Sequence, residues 1–436
     1  MQKIKSFLKQ FSRHWITAFS AWTSKIIVSL IQIISIRELL LYLGEERYSV
    51  YIIAFSLTAW LPLAELSVGT SLQNYISQHR AQNKNYDRHV VSAFQIEIFT
   101  FLFFAIVIFF LSPFVQNLLF RKFALAAEIK NMPIVLTVCL VSLIFICSSI
   151  IHKIYYAVHK GYISNILPAL SSIISMILIV IFRKYHIGGQ NIIYALLIFL
   201  LPQAIVSFTF FAAYFRRYIS KLFTFDFTSI KDILVRAFKL HGVGIFTTIY
   251  IQTDYLVISQ TLAGNPNEII SYSIFTRVFF FFSFIYSSFL ASVWPVISEM
   301  YHQGQLKEIW KMLKRYLLYG FILMTAGTVG VMIFSKMIFH ILAPGVDIIN
   351  AHLLILILGF YMIIKTWNDT FHVFLQSVNV LRIFWIFMPF EIIINAAAQY
   401  FFSKQFGIYG IIFGLIISVL ATSFWILPIK ARKVFS

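Results

Sequence analysis

An all-α polytopic membrane protein is the fold class that three features of this 436-residue chain predict. Hydrophobic residues make up 60% of it and charged residues only 12%. Soluble domains carry about 25% charged residues, so an ordinary globular protein is excluded. Mean hydropathy is +0.85. Apolar runs of roughly 20 residues, long enough to cross a bilayer as a helix, recur from end to end.

About twelve such runs follow one another: 15–36, 48–71, 91–112, 132–151, 163–182, 191–214, 241–262, 269–295, 315–334, 352–377, 384–402 and 408–428. Each must be a helix, because in hydrocarbon every backbone amide has to find its partner inside its own segment. Ahead of the first run, residues 1–14 are basic and set Ile4, Phe7, Leu8 and Phe11 on one helical face. That is the pattern of a segment lying along the cytoplasmic lipid surface. No small-residue cleavage site follows a short apolar region, so the first run reads as an uncleaved helix.

Orientation comes from Lys and Arg, which collect on the cytoplasmic side. With the N-terminus inside, cytoplasmic segments hold 23 basic residues, counting Arg315 at the edge of run nine, and the opposite segments 9, while Lys25, Arg277 and Lys365 lie deeper within runs. Both termini are therefore expected in the cytoplasm. The net charge of +19 becomes an orientation signal and an attraction to anionic membrane lipids, which removes a nucleic-acid partner.

The longest cytoplasmic connection, 215–240, divides the runs six and six. Its basic residues alternate with aromatic and aliphatic ones, as in an amphipathic helix lying on the membrane. The expected organisation is an N-terminal lobe, 1–214, a linker, 215–240, and a C-terminal lobe, 241–436, around a central cavity. A shift of 221 residues matches Tyr51 to Tyr272, Ile53 to Ile274, Ser67 to Ser288, Ser71 to Ser292 and Ile76-Ser77 to Ile297-Ser298. Parallel repeats about a shared site are a transporter arrangement.

The polar residues within the runs form stripes at helical spacing. Run one carries Lys25, Ser29 and Gln32, and run two Pro62, Glu65 and Gly69. Glu97 lies in run three. Run four holds both cysteines, Cys139 and Cys147, which read as small apolar filler and imply neither a disulfide framework nor a metal site. Pro62 in run two, Pro168 and Pro202 in runs five and six and Pro389 in run eleven each remove a backbone bond and bend the helix. Run seven gives Thr247, Tyr250 and Asp254, and run eight Ser273, Arg277 and Ser288. Run ten is richest, with Tyr361, Lys365, Asn368, Asp369, His372 and Gln376. Run eleven adds Glu391, Asn395 and Gln399, and run twelve a Gly410/Gly414 pair suited to close contact between helices of this chain.

A charge at the bilayer centre costs at least ~2.5–3.5 kcal/mol, so charges on several runs point to a hydrated cavity or to partners. Lys25, Arg277 and Lys365 read either as holders of an anionic headgroup or as members of structural ion pairs. Lys365 and Asp369 stand four residues apart and are placed to neutralise one another. Asp254, Glu65 and Asp369 are the candidates for carrying a proton or sodium ion, with Glu97 and Glu391 behind them. Their alternative is pairing with the cavity's own cations. No GxxxxGK[ST], GxSxG, HExxH or CxxC occurs, so no resident ATPase, catalytic centre, cofactor or metal is expected.

The stretches Arg37-Glu38-Leu39 to Leu43-Gly44, Tyr48 to Tyr51 and Ser56 to Leu61 resemble the opening of Wzx-type O-antigen flippases. Gly69 to Ser77 is similar to that family's loop after the second helix. Asp254 to Ile258, Gly264, Tyr272 and Arg277-Val278-Phe279 resemble its seventh and eighth helices. The resemblance implies a member of the multidrug/oligosaccharidyl-lipid/polysaccharide exporter superfamily. It further implies movement of an undecaprenyl-pyrophosphate-linked oligosaccharide between leaflets by alternating access, coupled to H+ or Na+, and work beside other polysaccharide assembly proteins. A cationic lumen would come from Lys25, Arg277 and Lys365, and ion coupling from Asp254 or Glu65. A proton- or sodium-coupled multidrug/cation antiporter of the same architecture is the alternative. A membrane glycosyltransferase or polymerase is disfavoured, because the longest outer connection, 113–131, has only 19 residues.

Overall fold

The computed structural model describes residues 2–346 and 351–435, with side chains from Phe19 onward except at Ala81, Lys239, Leu240, Val243 and Pro295. The amphipathic face expected over Ile4 to Phe11 lies outside the described side chains. Among the described residues every regular element is helical. Eleven helical segments are long and apolar enough to cross a membrane. The remaining expected run, the seventh at 241–262, coincides with the second part of a helix spanning Phe227–Thr261. The all-α polytopic class is thus the one found.

The chain forms two compact units, Met1–Arg121 with Leu125–Ile245, and Lys122–Ala124 with Phe246–Ser436. The first contains α1 (Gln2–Leu43), α2 (Glu45–Ser56), α3 (Val68–Ala81), α4 (Asp87–Phe120), α5 (Ala126–Ile129), α6 (Ile134–Ser148), α7 (Ile150–Ala157), α8 (Gly161–Lys184), α9 (Ile192–Phe215) and the start of α10 (Phe227–Thr261). Within it α1 packs on α8, α6 on α4 and α9, and α3 on α7.

The second run departs from the simple bent helix that Pro62 suggested. Helix α2 stops at Ser56, and the chain continues in tight 3-10 turns over Leu57–Ala59 and Leu61–Glu65. Pro62 sits at the start of the second turn, where a missing N–H costs no hydrogen bond. Leu66 and Ser67 then take left-handed backbone angles, φ 51° and 59°. The segment Gly69 to Ser77, read from sequence as a loop, is helix α3. Val68, Leu72 and Ile76 recur every four residues and are fully buried against Ile150, Ile151 and Ile154 of α7 and Ile233 of α10. The polar residues between them disguise that stripe as a loop. Ser71 Oγ fixes the contact by donating to the Ile233 carbonyl at 2.9 Å.

The connection 215–240 is largely structured. Arg216–Lys221 forms 3-10 turns that bury Tyr218, and α10 starts behind Asp226. Asp226 Oδ1 accepts from the Thr228 and Ser229 amides at 3.1 and 3.3 Å, an N-cap arrangement. These hydrogen bonds hold its carboxyl below the usual carboxylate range. Ile233 and Ala237 face the core, whereas Phe223, Phe225, Phe227 and Phe238 are exposed, so the segment is amphipathic.

The second unit contains the rest of α10 with α11 (Pro266–His302), α12 (Leu306–Leu342), α13 (Ala351–Ser377), α14 (Arg382–Phe406), α15 (Ile408–Ala421) and α16 (Ser423–Phe435). Helices α14 and α15 form a hairpin whose turn is one residue, Gly407, at φ 58°. Glu268 Oε2 accepts from the Ile408 amide at 2.7 Å, a carboxylate at a helix N-terminus. A Cβ on Gly410 would run into the backbone of Phe402, and one on Gly414 would lie 2.6 Å from the Gln399 nitrogen. The GxxxG pair therefore serves close packing inside the chain, as its sequence suggested. Pro168, Pro202 and Pro389 sit inside α8, α9 and α14.

Candidate functional site

The second unit encloses a cavity of about 200 Å³. Helix α10 contributes Thr247, Tyr250, Asp254 and Tyr255, α11 contributes Tyr272 and Thr276, and α14 contributes Glu391. Helix α13 presents Tyr361, Lys365, Asn368, Asp369 and His372 to the same space. Spacings of three and four keep each set on one face of its helix. That periodicity converts scattered polar residues into one lining.

Asp254 is the centre of the hydrogen bonding. It is 8% exposed, and its Oδ1 accepts from Gln399 Nε2 at 2.7 Å while Oδ2 accepts from the Tyr272 hydroxyl. Gln399 Nε2 also donates to Asn395 Oδ1 at 3.0 Å. Gln399 and Asn395, both fully buried, stand one turn apart on α14 and hold each other's amides in place. A second carboxylate, Glu391, is 5% exposed and accepts from Ser423 Oγ at 2.9 Å. Each carboxylate is bonded through neutral donors, an arrangement that leaves room for a proton or a cation to come and go.

Lys365 and Asp369 form an ion pair across one turn of α13, with side chains 24% and 39% exposed. The sequence spacing anticipated this pairing. His372 packs its ring 4.1 Å from that of Phe384. Asn368 leaves its buried Oδ1 without a hydrogen bond, an acceptor turned toward the lining with no protein donor.

Of the six residues singled out in sequence, Asp254, Lys365 and Asp369 come together here. Arg277 is half-buried on α11, one position beyond Thr276, and is not part of this lining. Lys25 is exposed on α1 and Glu65 half-buried at the end of the 3-10 turns, both in the first unit. Sequence reasoning missed Tyr272 as the donor to Asp254 and Ser423 as the donor to Glu391. A signal existed for Tyr272, since a buried tyrosine needs a partner for its hydroxyl. Ser423, outside any stripe, had none.

No family model matches the chain. A Yersinia pseudotuberculosis protein named "Putative O-antigen export protein" is 33% identical over 434 residues, covering 96% of each chain. A Salmonella typhimurium protein named "Putative O-antigen transporter" is 33% identical over 437 residues, covering 99% of this chain and 100% of its own. A Salmonella typhi protein of the same name is 32% identical with 98% coverage of both. Among solved structures, an inward-facing multidrug resistance MATE family transporter of the MOP superfamily superposes with a TM-score of 0.72 at 14% identity, covering 93% of this chain and 95% of its own. The lipid II flippase MurJ in an inward closed conformation gives 0.69 at 17% identity, covering 96% and 88%. The structures define the fold, shared with that MATE transporter and with MurJ, and the full-length relatives define the kinship: the chain is a multi-pass membrane protein of the Wzx-type O-antigen transporter family.

Proposed function

We propose that this protein moves undecaprenyl-pyrophosphate-linked O-antigen, or a related polysaccharide repeat unit, from the cytoplasmic to the periplasmic leaflet of the inner membrane. It does so by alternating access coupled to H+ or Na+, with both termini in the cytoplasm. The observation that carries this reading is kinship at about one-third identity along the whole chain to named O-antigen transporters. Asp254, buried and bonded to the neutral side chains of Tyr272 and Gln399, supports the coupling step. Asp369 and Glu65 are further coupling candidates, and Asp369 acts through its pairing with Lys365. Lys25, Arg277 and Lys365 are the candidates for the pyrophosphate, Arg277 offering a planar fork and the lysines point charges. Residues 1–214 and 241–436 act as the moving lobes, joined by 215–240. Membrane lipids and other polysaccharide assembly proteins are its surroundings.

A second reading, a proton- or sodium-coupled multidrug/cation antiporter, is favoured by the cavity's charges. Asp254 and Glu391 stand there beside a lysine already paired with Asp369. Inverted inner-membrane vesicles supplied with labelled lipid-linked oligosaccharide separate the two. Protein-dependent transfer to the lumenal leaflet that falls with Lys25→Ala at equal expression supports the flippase. Absent transfer together with proton-driven uptake of organic cations overturns it in favour of the antiporter.

A further inference from the structure

The first unit holds a carboxylate with no role in the site above. Glu97, on α4, is 1% exposed, and among the described residues no N–H or O–H donor reaches either of its oxygens. It lines a cavity of about 490 Å³ whose walls are otherwise mostly apolar, including Phe101, Leu201 and Phe208. Glu65, at the end of the 3-10 turns, lies within electrostatic reach of it; the Gly69 backbone stands against the Glu65 carboxyl, whose Oε1 is buried with no side-chain donor among the described residues. The Cys147 thiol of α6 faces Glu97 as well. Lys153 acts on Glu65 and not directly on Glu97. His152 is turned to Ser207, 3.2 Å away.

Among the described residues an ionised carboxylate at this place would find no counter-ion and no donor stronger than a thiol, at a cost of several kcal/mol. Two carboxylates in reach of one another cannot both ionise cheaply, so a pair of this kind shares a proton. A metal ion fits poorly: among the described residues no group of three or more His, Cys, Asp or Glu could hold one.

We infer that Glu97 and Glu65 form a single-proton site within the first unit, with the proton resident on Glu97. It is an ion-carrying site separate from Asp254, which lies in the second unit. The break in run two makes it possible: the 3-10 turns and left-handed Leu66 and Ser67 end the span at Glu65. Gly69 is then required beside it, since a Cβ there would meet Glu65 Oε1 at 2.6 Å. The inference deepens the proton-coupling part of the proposed function and rests on it for the transport readout alone.

Infrared difference spectra of the full-length protein in lipid nanodiscs, wild type minus Glu97→Gln, test it without any substrate. Loss of one protonated-carboxyl C=O band, shifting in D2O, is expected. A difference containing only carboxylate stretches, which marks Glu97 as ionised, overturns the site. Glu97→Gln is close to isosteric with the protonated acid. Should it fail to accumulate, the Cys147 S–H stretch of wild type, identified by its loss in Cys147→Ala, gives the same information. A shift of that stretch at alkaline pH supports a proton leaving Glu97, and none at any pH refutes an ion-carrying role for it. In vesicles, transfer driven by a pH gradient should fall about tenfold in Glu97→Gln, equivalent to ~1.4 kcal/mol. Unchanged gradient-driven transfer overturns the coupling role even if the infrared band is lost. Absent transfer by wild type instead overturns the proposed substrate, while the infrared spectra still decide where the proton sits.

Discussion

Replacing Gly410 by Ala tests how closely α14 and α15 are obliged to pack. The new methyl group would overlap the carbonyl of Phe402 and the amide of Ser403, which are backbone atoms and cannot rotate away. The helices must separate instead. Opening a packed surface by ~0.5–1 Å forfeits a quarter to a half of each atom pair's ~0.1–0.2 kcal/mol. Across some tens of pairs the loss is about 1–3 kcal/mol, the usual range for overpacking. Gly330, helical with nothing within 4 Å of its would-be Cβ, is the matched control. Thermal unfolding followed by fluorescence-detected size exclusion should show a lower midpoint for Gly410→Ala and little change for Gly330→Ala. Melting of Gly410→Ala together with wild type would refute the packing argument. Gly414→Ala adds a functional readout, because its methyl group pushes on Gln399, the donor to Asp254. The double variant should cost less than the sum, since one displacement of the helix relieves both clashes.

Other outcomes follow from the same geometry. Gln399→Leu removes a hydrogen bond to a carboxylate, worth about 1.5–3 kcal/mol. Ion-coupled transfer should fall in vesicles, while Asp254→Asn, which keeps one acceptor oxygen and sets an amide NH2 where the other stood, should lose coupling altogether. A double-mutant cycle on Lys365→Ala and Asp369→Ala should give a stability coupling of only ~0.2–1 kcal/mol, because the pair is partly exposed. A transport defect in Lys365→Ala well beyond that of Asp369→Ala would assign the lysine to substrate. At Asp226, the folded carboxyl is held below its unfolded value. Its capping is therefore present above the unfolded pKa and lost as pH falls through the folded one. Hydrogen exchange of the Thr228 and Ser229 amides, corrected for the intrinsic rate, should accelerate in that acid window and not in Asp226→Asn.

The sequence carried the fold class because length and hydropathy alone fix what a bilayer accepts. It also carried the lining of the second-unit cavity, since Thr247, Tyr250 and Asp254 on one helix and Tyr361, Lys365 and Asp369 on another share faces by spacing. It hid α3, whose buried Val68, Leu72 and Ile76 are separated by residues that look like a polar loop. It hid the end of run two, because Pro62 bends a helix and begins a 3-10 turn with equal ease. Partners across helices were the least legible. Nothing local to Tyr272 names Asp254, eighteen residues earlier, and nothing near Glu97 shows that no N–H or O–H donor reaches its oxygens.

The one-residue reversal at Gly407 also limits how this protein can be tagged. Any reporter domain spliced between Phe406 and Ile408 would take the Ile408 amide from Glu268 and prise apart the two helices it joins. A silent fusion there would report a broken hairpin, and sidedness would be read wrongly. The exposed stretches at 82–85 and 223–225 end no such tight pair. They are the places where a single cysteine or epitope can be inserted to map which face of the membrane each connection occupies.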